Sequence, residues 1–170
     1  MSKALDLIAG GWQTNAVWQW YSGLPFTPSY QNSGADQDVG VGRPNVIGDF
    51  RSVTQDQFGW FTTCSSALAT NGQTCGPWQR PQRGQLGNAG RNWFLFGPQF
   101  NQLDMSFFKT FSLTEKYRMQ FRAEAFNFAN HANLANPTSC VDCPGTAGRI
   151  FGTSGAYAPR LWQFALRLDF

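Results

Sequence analysis

Alternation of apolar and polar side chains over residues 101–128 is the feature that most constrains the fold of this chain. From Leu103 every second residue up to Phe111 is apolar except Lys109, and the alternation resumes at Tyr117. Successive side chains of a β-strand point to opposite faces, so this pattern predicts a two-faced hairpin with a tight turn. Each strand has about ten residues, whereas soluble strands usually have about five or six and tilted membrane-crossing strands about nine to eleven. The hairpin is therefore predicted to cross a membrane.

A helix is the alternative structure for residues 115–128, because this segment is rich in good helix formers. On a helix, however, Arg118 and Arg122 would share a face with Phe121. On a strand the charged and apolar side chains separate onto opposite faces, so we interpret the segment as a strand.

Two further segments alternate in the same way, and one of them, residues 11–21, carries three Trp on one side. Interfacial aromatic rings of this kind are typical of lipid-facing strands. The predicted strands are residues 11–21, 102–112, 116–128 and 160–170. The sequence thus predicts an all-β fold, a partial antiparallel transmembrane β-barrel of about four long strands.

The connections between the predicted strands are long, short and long. Loops 22–100 and 129–159 are rich in Gly and Pro, and a short turn lies near Leu113. Outer-membrane barrels have long extracellular loops and short periplasmic turns, so both loops are expected on the outer side. Because loop 22–100 is also rich in aromatic residues, we expect it to fold partly onto itself or over a pore mouth.

Composition and motifs exclude several classes of function. The net charge is +3 without a basic run, which argues against a nucleic-acid partner. The chain has one His, so a multi-His metal site is impossible, and no nucleophile with a base and an orienting group stands out. We therefore predict neither an enzyme nor a cofactor. The first twelve residues lack the apolar core of a secretory signal, so we expect a carboxy-terminal piece of a longer protein.

Five stretches carry a family resemblance. They are GGWQTNAVWQWYSGLPFTP (10–28), VGRPNVIGD (41–49), GNAGRNWFLFGPQFNQLDMSFFKTF (87–111), FRAEAFNFANHANLANP (121–137), and FG with APRLWQFALRLDF (151–152 and 158–170). In this order they resemble the C-terminal end of a TonB-dependent outer-membrane receptor barrel, of the Oar-like type that often carries a carboxypeptidase-regulatory-like domain. The resemblance spans nearly the whole chain, residues 1–170.

The resemblance implies a barrel of about 22 strands in the outer membrane of a Gram-negative bacterium. Such a receptor imports a scarce ligand, for example a siderophore, an oligosaccharide or a peptide. The chain lacks the plug and most strands, so its implied partners are the missing N-terminal strands and plug, the TonB complex acting through that plug, and outer-membrane lipid. A further implied partner is the barrel-assembly machinery, because the last strand resembles its recognition signal, with Phe164, Leu166, Leu168 and Phe170.

Charged and polar residues of the predicted strands fall on the face opposite the apolar one. The lumen-facing candidates are Asp104, Arg118, Gln120, Arg122, Glu124, Arg167 and Asp169. Their functional interpretation is a lumen wall that guides a ligand or contacts the plug. The structural alternative is a hydrated barrel interior with Arg–carboxylate pairs between neighbouring strands.

Four cysteines lie in the two predicted loops, as the pairs Cys64 with Cys75 and Cys140 with Cys143. An oxidising exterior favours a disulfide within each pair. Pairing between the loops and a zinc site are the open alternatives. His131 is expected to pack in a turn.

A second function remains open at this point. A secreted β-sandwich could bind carbohydrate through exposed Trp and Tyr side chains. It would be a soluble, independently folded monomer, whereas a barrel segment would need detergent and further strands.

Overall fold

The computed structural model describes residues 9–31, 42–92, 95–155 and 158–170. The amino-terminal segment 1–8, on which the prediction about a secretory signal partly rests, lies outside these residues. Nine strands are described: β1 (Trp12–Tyr21), β2 (Pro25–Phe26), β3 (Asn45–Val46), β4 (Thr74–Cys75), β5 (Trp78–Gln79), β6 (Leu95–Phe96), β7 (Phe100–Ser112), β8 (Arg118–Phe126) and β9 (Leu161–Asp169). Within the described residues, no helix has the length and apolar character to cross a membrane.

The chain divides into two compact units. The sheet unit comprises the described residues of 9–21, 100–133 and 155–170, and the loop unit those of 22–99 and 134–154. The sheet unit holds the four long strands, and the loop unit holds the five strands of two residues each.

The sheet unit is an antiparallel sheet with the strand order β1-β7-β8-β9. One row across it runs from Trp12 to Lys109, then to Phe121 and Leu166, as direct partners in the register. Directly opposed residues share a face. The apolar face therefore contains these members of the predicted apolar set: Trp12, Ala16, Trp18 and Trp20 of β1, Leu103, Met105, Phe107 and Phe111 of β7, Met119, Phe121, Ala123 and Ala125 of β8, and Trp162, Phe164, Leu166 and Leu168 of β9. Tyr117 and Phe170, also in that set, lie just outside β8 and β9.

The ends of β8 differ from the predicted strand by two residues on each side. β8 begins at Arg118 because the turn continues to Tyr117, whose backbone N–H donates to Thr114 Oγ1 at 3.1 Å. It ends at Phe126 because Asn127 has a φ of 51°, in the left-handed region. The Asn127 N–H then donates to Asp104 Oδ1 at 2.8 Å, which holds the turn against β7.

The apolar face is widely exposed. Trp18 is 70% and Leu166 is 67% exposed. Aromatic rings continue across the face, with centroids 6.3 Å apart for Trp12 and Phe121 and again 6.3 Å apart for Phe121 and Phe164. So large an apolar surface is unfavourable in water but suits contact with lipid chains. It also argues against the sandwich alternative, in which this face would be the buried core.

The sheet does not close on itself within the described part of the chain. β1 pairs with β7 alone and β9 pairs with β8 alone, so each has one edge without a described strand. Unpaired backbone groups are costly in hydrocarbon. The architecture is therefore that of a partial antiparallel barrel, as predicted.

Lys109 is the one charged residue among the long-strand positions of the apolar face. It is only 4% exposed, and its Nζ donates to the Gly10 carbonyl oxygen at 2.7 Å. The ammonium group also lies over the rings of Trp12, at 5.4 Å, and Phe111, at 5.3 Å. These contacts compensate the charge without exposing it on the apolar surface.

The loop unit has its own aromatic core, so the predicted long loops do fold onto themselves. The core residues are Phe26, Tyr30, Phe50, Phe61, Cys64, Leu68, Trp78, Leu95 and Val141. Trp78 is 0% exposed, its ring packs against Phe50 and Phe61, and its Nε1–H donates to the Thr62 carbonyl oxygen at 2.6 Å. Two small sheets, β2-β6 and β3-β5-β4, contribute Phe26, Leu95 and Trp78 to this core.

Residues 134–154 are joined to the rest of the loop unit by backbone pairing. Ser29 N–H donates to the Ser139 carbonyl at 2.9 Å, and Val141 N–H donates to the Ser29 carbonyl at 2.7 Å. The carboxylate of buried Asp142 accepts hydrogen bonds from the backbone N–H groups of Gln31, at 2.7 Å, and Leu68, at 2.8 Å. Asp142 thus connects three separate chain segments.

One glycine allows two backbone segments of the loop unit to approach closely. A Cβ on Gly23 would lie 1.7 Å from the Gly97 carbonyl oxygen. Gly97 N–H in turn donates to the Leu24 carbonyl at 3.0 Å, next to the β2-β6 pair. Any larger residue at position 23 would push these paired segments apart.

Candidate functional site

The polar face of the sheet brings all seven predicted lumen residues to one side. Across β8 and β9, Arg118 lies opposite Asp169 and Gln120 lies opposite Arg167. Between β7 and β8, Ser106 lies opposite Glu124. The period of two in each strand and the antiparallel register together produce this arrangement.

The ion pairs on this face run along the strands. Arg122 pairs with Glu124, and Arg167 Nε donates to Asp169 Oδ1 at 2.8 Å. The expectation of pairs between neighbouring strands is therefore wrong for these residues. The physical reason is that residues i and i+2 of one strand share a face, so each arginine reaches a carboxylate on its own strand.

Arg122 has a second contact that sequence analysis missed. Its guanidinium carbon lies 5.0 Å from the centroid of the Phe108 ring, which is a cation–π distance. Phe108 is the direct partner of Arg122 in the register. The pattern could have indicated this contact, because Phe108 is an aromatic residue at a polar-face position.

Three arginines are neighbours in the register of the polar face, from the short-turn end to the middle of β8. Arg167 is opposite Gln120, and Gln120 stands between Arg118 and Arg122 on β8. The side chains of Arg122 and Arg167 are 48% and 73% exposed. Arg118 is exposed too, and no side-chain hydrogen bond or ion pair of Arg118 occurs with the described residues. Three guanidinium groups thus face two carboxylates, which leaves an excess of positive charge.

Asp104 lies apart from the arginines and has a structural contact. Besides the Asn127 N–H, its Oδ1 accepts a hydrogen bond from Gln102 Nε2 at 2.9 Å. The backbone N–H of His131 donates a hydrogen bond to Asn127 Oδ1 at 2.9 Å. The structure therefore gives Asp104 a part in the turn after β8, and the backbone of His131 belongs to the same turn.

The predicted assembly residues lie on or just after the last strand. Phe164, Leu166 and Leu168 are on the apolar side of β9, and Phe170 follows the strand. All four side chains are exposed. They thus present a continuous apolar stripe along one edge of the sheet.

The two cysteine pairs differ. Cys140 and Cys143 form a disulfide with Cα atoms 5.6 Å apart. Cys64 and Cys75 are free thiols, and the Cys64 thiol donates to the Cys75 carbonyl oxygen at 3.2 Å. The predicted Cys64–Cys75 disulfide is therefore absent from this structure, in which the two thiols are free.

The structure does not favour the zinc alternative. Among the described residues, the group that could surround a metal ion is Cys140, Asp142 and Cys143. Both of its sulfurs are in the disulfide, and the carboxylate is occupied by backbone N–H groups. Thiolate ligands are what zinc would need here.

We expect iodoacetamide to modify Cys75 at a lower pH than Cys64. Burial raises the pKa of the Cys64 thiol, and its hydrogen bond to Cys75 raises it further. Burial also opposes ionisation of Cys75, but hydrogen bonds from Cys64, Ser66 and Ser65 outweigh it and lower its pKa. Since the thiolate is the nucleophile, a lower pKa moves the rise in reaction rate to lower pH.

Peptide mass spectrometry over a pH series measures both rates in the folded protein. The control is the same chain unfolded in urea, where the two pH profiles should converge. Identical profiles for both thiols in the folded protein would contradict the proposed hydrogen bonding.

Comparison with known proteins gives a family match. A family model described as the outer membrane beta barrel domain matches residues 2–163. No curated protein and no solved structure matches the chain. The match covers β1, β7 and β8 in full and only the first three residues of β9.

Proposed function

We propose, from the premise that the chain belongs to the outer membrane beta barrel domain family, that it is the barrel segment of a TonB-dependent receptor. The chain is an outer-membrane β-barrel protein of a Gram-negative bacterium. In the proposed function, the full receptor imports a scarce ligand such as a siderophore, an oligosaccharide or a peptide. The energy reaches it from the TonB complex through an amino-terminal plug.

The observation that carries this proposal is the contrast between the two faces of the sheet. The apolar face exposes aromatic rings such as Trp18 and Phe164 over strands of nine to thirteen residues. The opposite face carries exposed arginines and carboxylates, including Arg122 and Arg167. A wall with lipid on one side and a hydrated, charged surface on the other is what a transport barrel requires.

The edges of β1 and β9 that pair with no described strand support a larger barrel around these strands. Four strands enclose too little space for a lumen, because barrel diameter grows with strand number. We propose that further strands of the same receptor pair with both edges. The resemblance to Oar-like receptors is what adds the plug and the TonB complex as partners.

The connectivity fits the polarity of such a receptor. β7 and β8 are joined by a short turn, in which Leu113 N–H donates to the Tyr117 carbonyl at 3.0 Å. The two long connections are at the other end of the sheet. One runs from Tyr21 at the end of β1 to Phe100 at the start of β7, and the other from Phe126 at the end of β8 to Leu161 at the start of β9. In the proposed orientation the two long connections leave the sheet on the extracellular side.

Crosslinking to TonB tests the proposed function without knowledge of the ligand. The full-length protein that contains this chain is expressed in its own cells, with a photo-crosslinking residue in the periplasmic domain of TonB. We expect a covalent complex between the two proteins. Removal of the segment preceding the barrel should abolish the complex and leave the barrel in the membrane.

A known TonB-dependent receptor of the same cells serves as the positive control. If that receptor is crosslinked while this protein, folded in the same membrane, is not, the TonB-dependent role is wrong. The outer-membrane location would be unaffected by that result.

A further inference from the structure

We propose that Arg118, Arg122 and Arg167 form an anion-binding site that takes a carboxylate or phosphate group of the ligand. We call these three residues the arginine row. The proposal rests on the transport role proposed above, and it adds the chemical class of the cargo. The ligand would be an acid, such as a carboxylate-bearing chelate or a phosphorylated compound.

The register brings the three arginines together. Arg118 and Arg122 are four residues apart on β8, so they lie on one face with Gln120 between them. Arg167 of β9 is the direct partner of that glutamine. It is therefore a diagonal neighbour of both β8 arginines, at a separation that long side chains bridge.

Two of the three guanidinium groups are oriented by their surroundings. Arg122 pairs with Glu124 and stacks on Phe108, with 5.0 Å from its guanidinium carbon to the ring centroid. Arg167 is held by Asp169 at 2.8 Å. A guanidinium whose rotamer is fixed loses less entropy when it binds an anion, and its planar fork matches a carboxylate or phosphate.

The charge count on the row supplies the driving force. Glu124 is engaged by Arg122 and also accepts a hydrogen bond from Ser106 at 3.4 Å, while Asp169 is engaged by Arg167. Arg118 makes no side-chain pair with the described residues, although it faces Asp169 in the register. The unbalanced positive charge thus lies at Arg118. The apolar face behind the sheet would strengthen its attraction for an anion, because field lines concentrate beside a low-dielectric wall.

A purely structural role for the row is a poor explanation. Exposed ion pairs contribute little to stability, since solvent screens them and the long side chains lose entropy. The arginine side chains of the two ion pairs are about half exposed or more. Glutamine at these positions should therefore leave assembly unchanged, so a loss of binding can be separated from misfolding.

Calorimetric titration of the full-length protein, extracted from the outer membrane in non-ionic detergent, tests the site. The probes are citrate and inorganic phosphate, with glycerol as a neutral control. We expect saturable binding of at least one anion and none of glycerol. Arg118→Gln and Arg122→Gln should each weaken binding about tenfold to a hundredfold, as expected for the loss of a charge-assisted hydrogen bond.

Two further variants separate specific binding from general attraction. Arg122→Lys keeps the charge but loses the planar fork, so it should restore only part of the affinity. Arg160→Gln removes one exposed positive charge just before β9, outside the row, and should leave binding unchanged.

Failure to bind either anion, or equal weakening by Arg160→Gln and Arg118→Gln, would overturn the proposal. The outcome is independent of the TonB experiment. Anion binding without TonB crosslinking would support the anion-binding site and contradict the TonB-dependent transport role. Crosslinking without anion binding would support the transport role and contradict the anion-binding site.

Discussion

Arginine in place of Phe121 or Leu166 is expected to prevent assembly of the protein into the outer membrane. The two residues are direct partners on the apolar face. Phe121 also contacts the rings of Trp12 and Phe164, and Leu166 is 67% exposed on that face. A lipid-facing arginine near the bilayer midplane costs about 2–4 kcal/mol, and both positions lie within the strands.

The matched control is Gln120→Arg. It introduces the same side chain at the neighbouring position of the same strand, but on the polar face. We expect normal assembly for this variant. The measurement is the fraction of full-length protein that is folded in the membrane, read from heat-modifiable migration on gels. Similar fractions for Phe121→Arg and Gln120→Arg would mean that the two faces are assigned wrongly.

Trp78→Ala is expected to unfold the loop unit while the sheet stays assembled. The side chain is fully buried against Phe50 and Phe61, and large-to-small changes at such aromatic positions cost about 3–5 kcal/mol. Loss of the indole N–H also leaves the Thr62 carbonyl without the hydrogen bond it accepts at 2.6 Å, which adds about 1–3 kcal/mol if the group stays buried.

Limited proteolysis of membranes containing the full-length protein measures this effect. Cleavage within residues 42–92 should become rapid in the variant, and β7 to β9 should remain protected. Phe58→Ala is the control, because Phe58 is 63% exposed and its removal should leave the cleavage rate almost unchanged. Equal protection of Trp78→Ala and the wild type would show that Trp78 is not the centre of this core.

The four long strands could be predicted because their information is local. A period of two over nine or more residues specifies both the strand and its two faces, and the register of the sheet follows the same facing. The errors were confined to the ends of the strands. At the end of β8, for example, Asn127 adopts a left-handed conformation that an alternation pattern does not indicate.

The loop unit could not be predicted in the same way. Its strands have two residues each, too few to show a period, and its core joins residues that are far apart in the chain. The pairing of Ser29 with residues 139 and 141 is one example. Turn-forming Gly and Pro indicated irregular structure, and aromatic content alone suggested that the segment would bury a core.

The shared face of the candidate residues could be predicted from the sequence, but their contacts could not. All seven predicted lumen residues are on the polar face, yet Arg122 and Arg167 form ion pairs with carboxylates of their own strands. That choice depends on rotamers, which the sequence does not specify. The state of Cys64 and Cys75 could not be predicted either, because the sequence does not specify whether two neighbouring cysteines form a disulfide or remain thiols.

The interleaved order of the two units has a consequence for the time course of folding. The β7–β8 hairpin consists of contacts between near neighbours in sequence and should form early. The loop unit needs Ser29 to meet Ser139, 110 residues away, and it needs Asp142 to reach Gln31 and Leu68. Closing so long a loop is slow. The β7–β8 hairpin belongs to the chain segment between Ser29 and Ser139. The loop unit is therefore expected to finish folding last, after the sheet has begun to form.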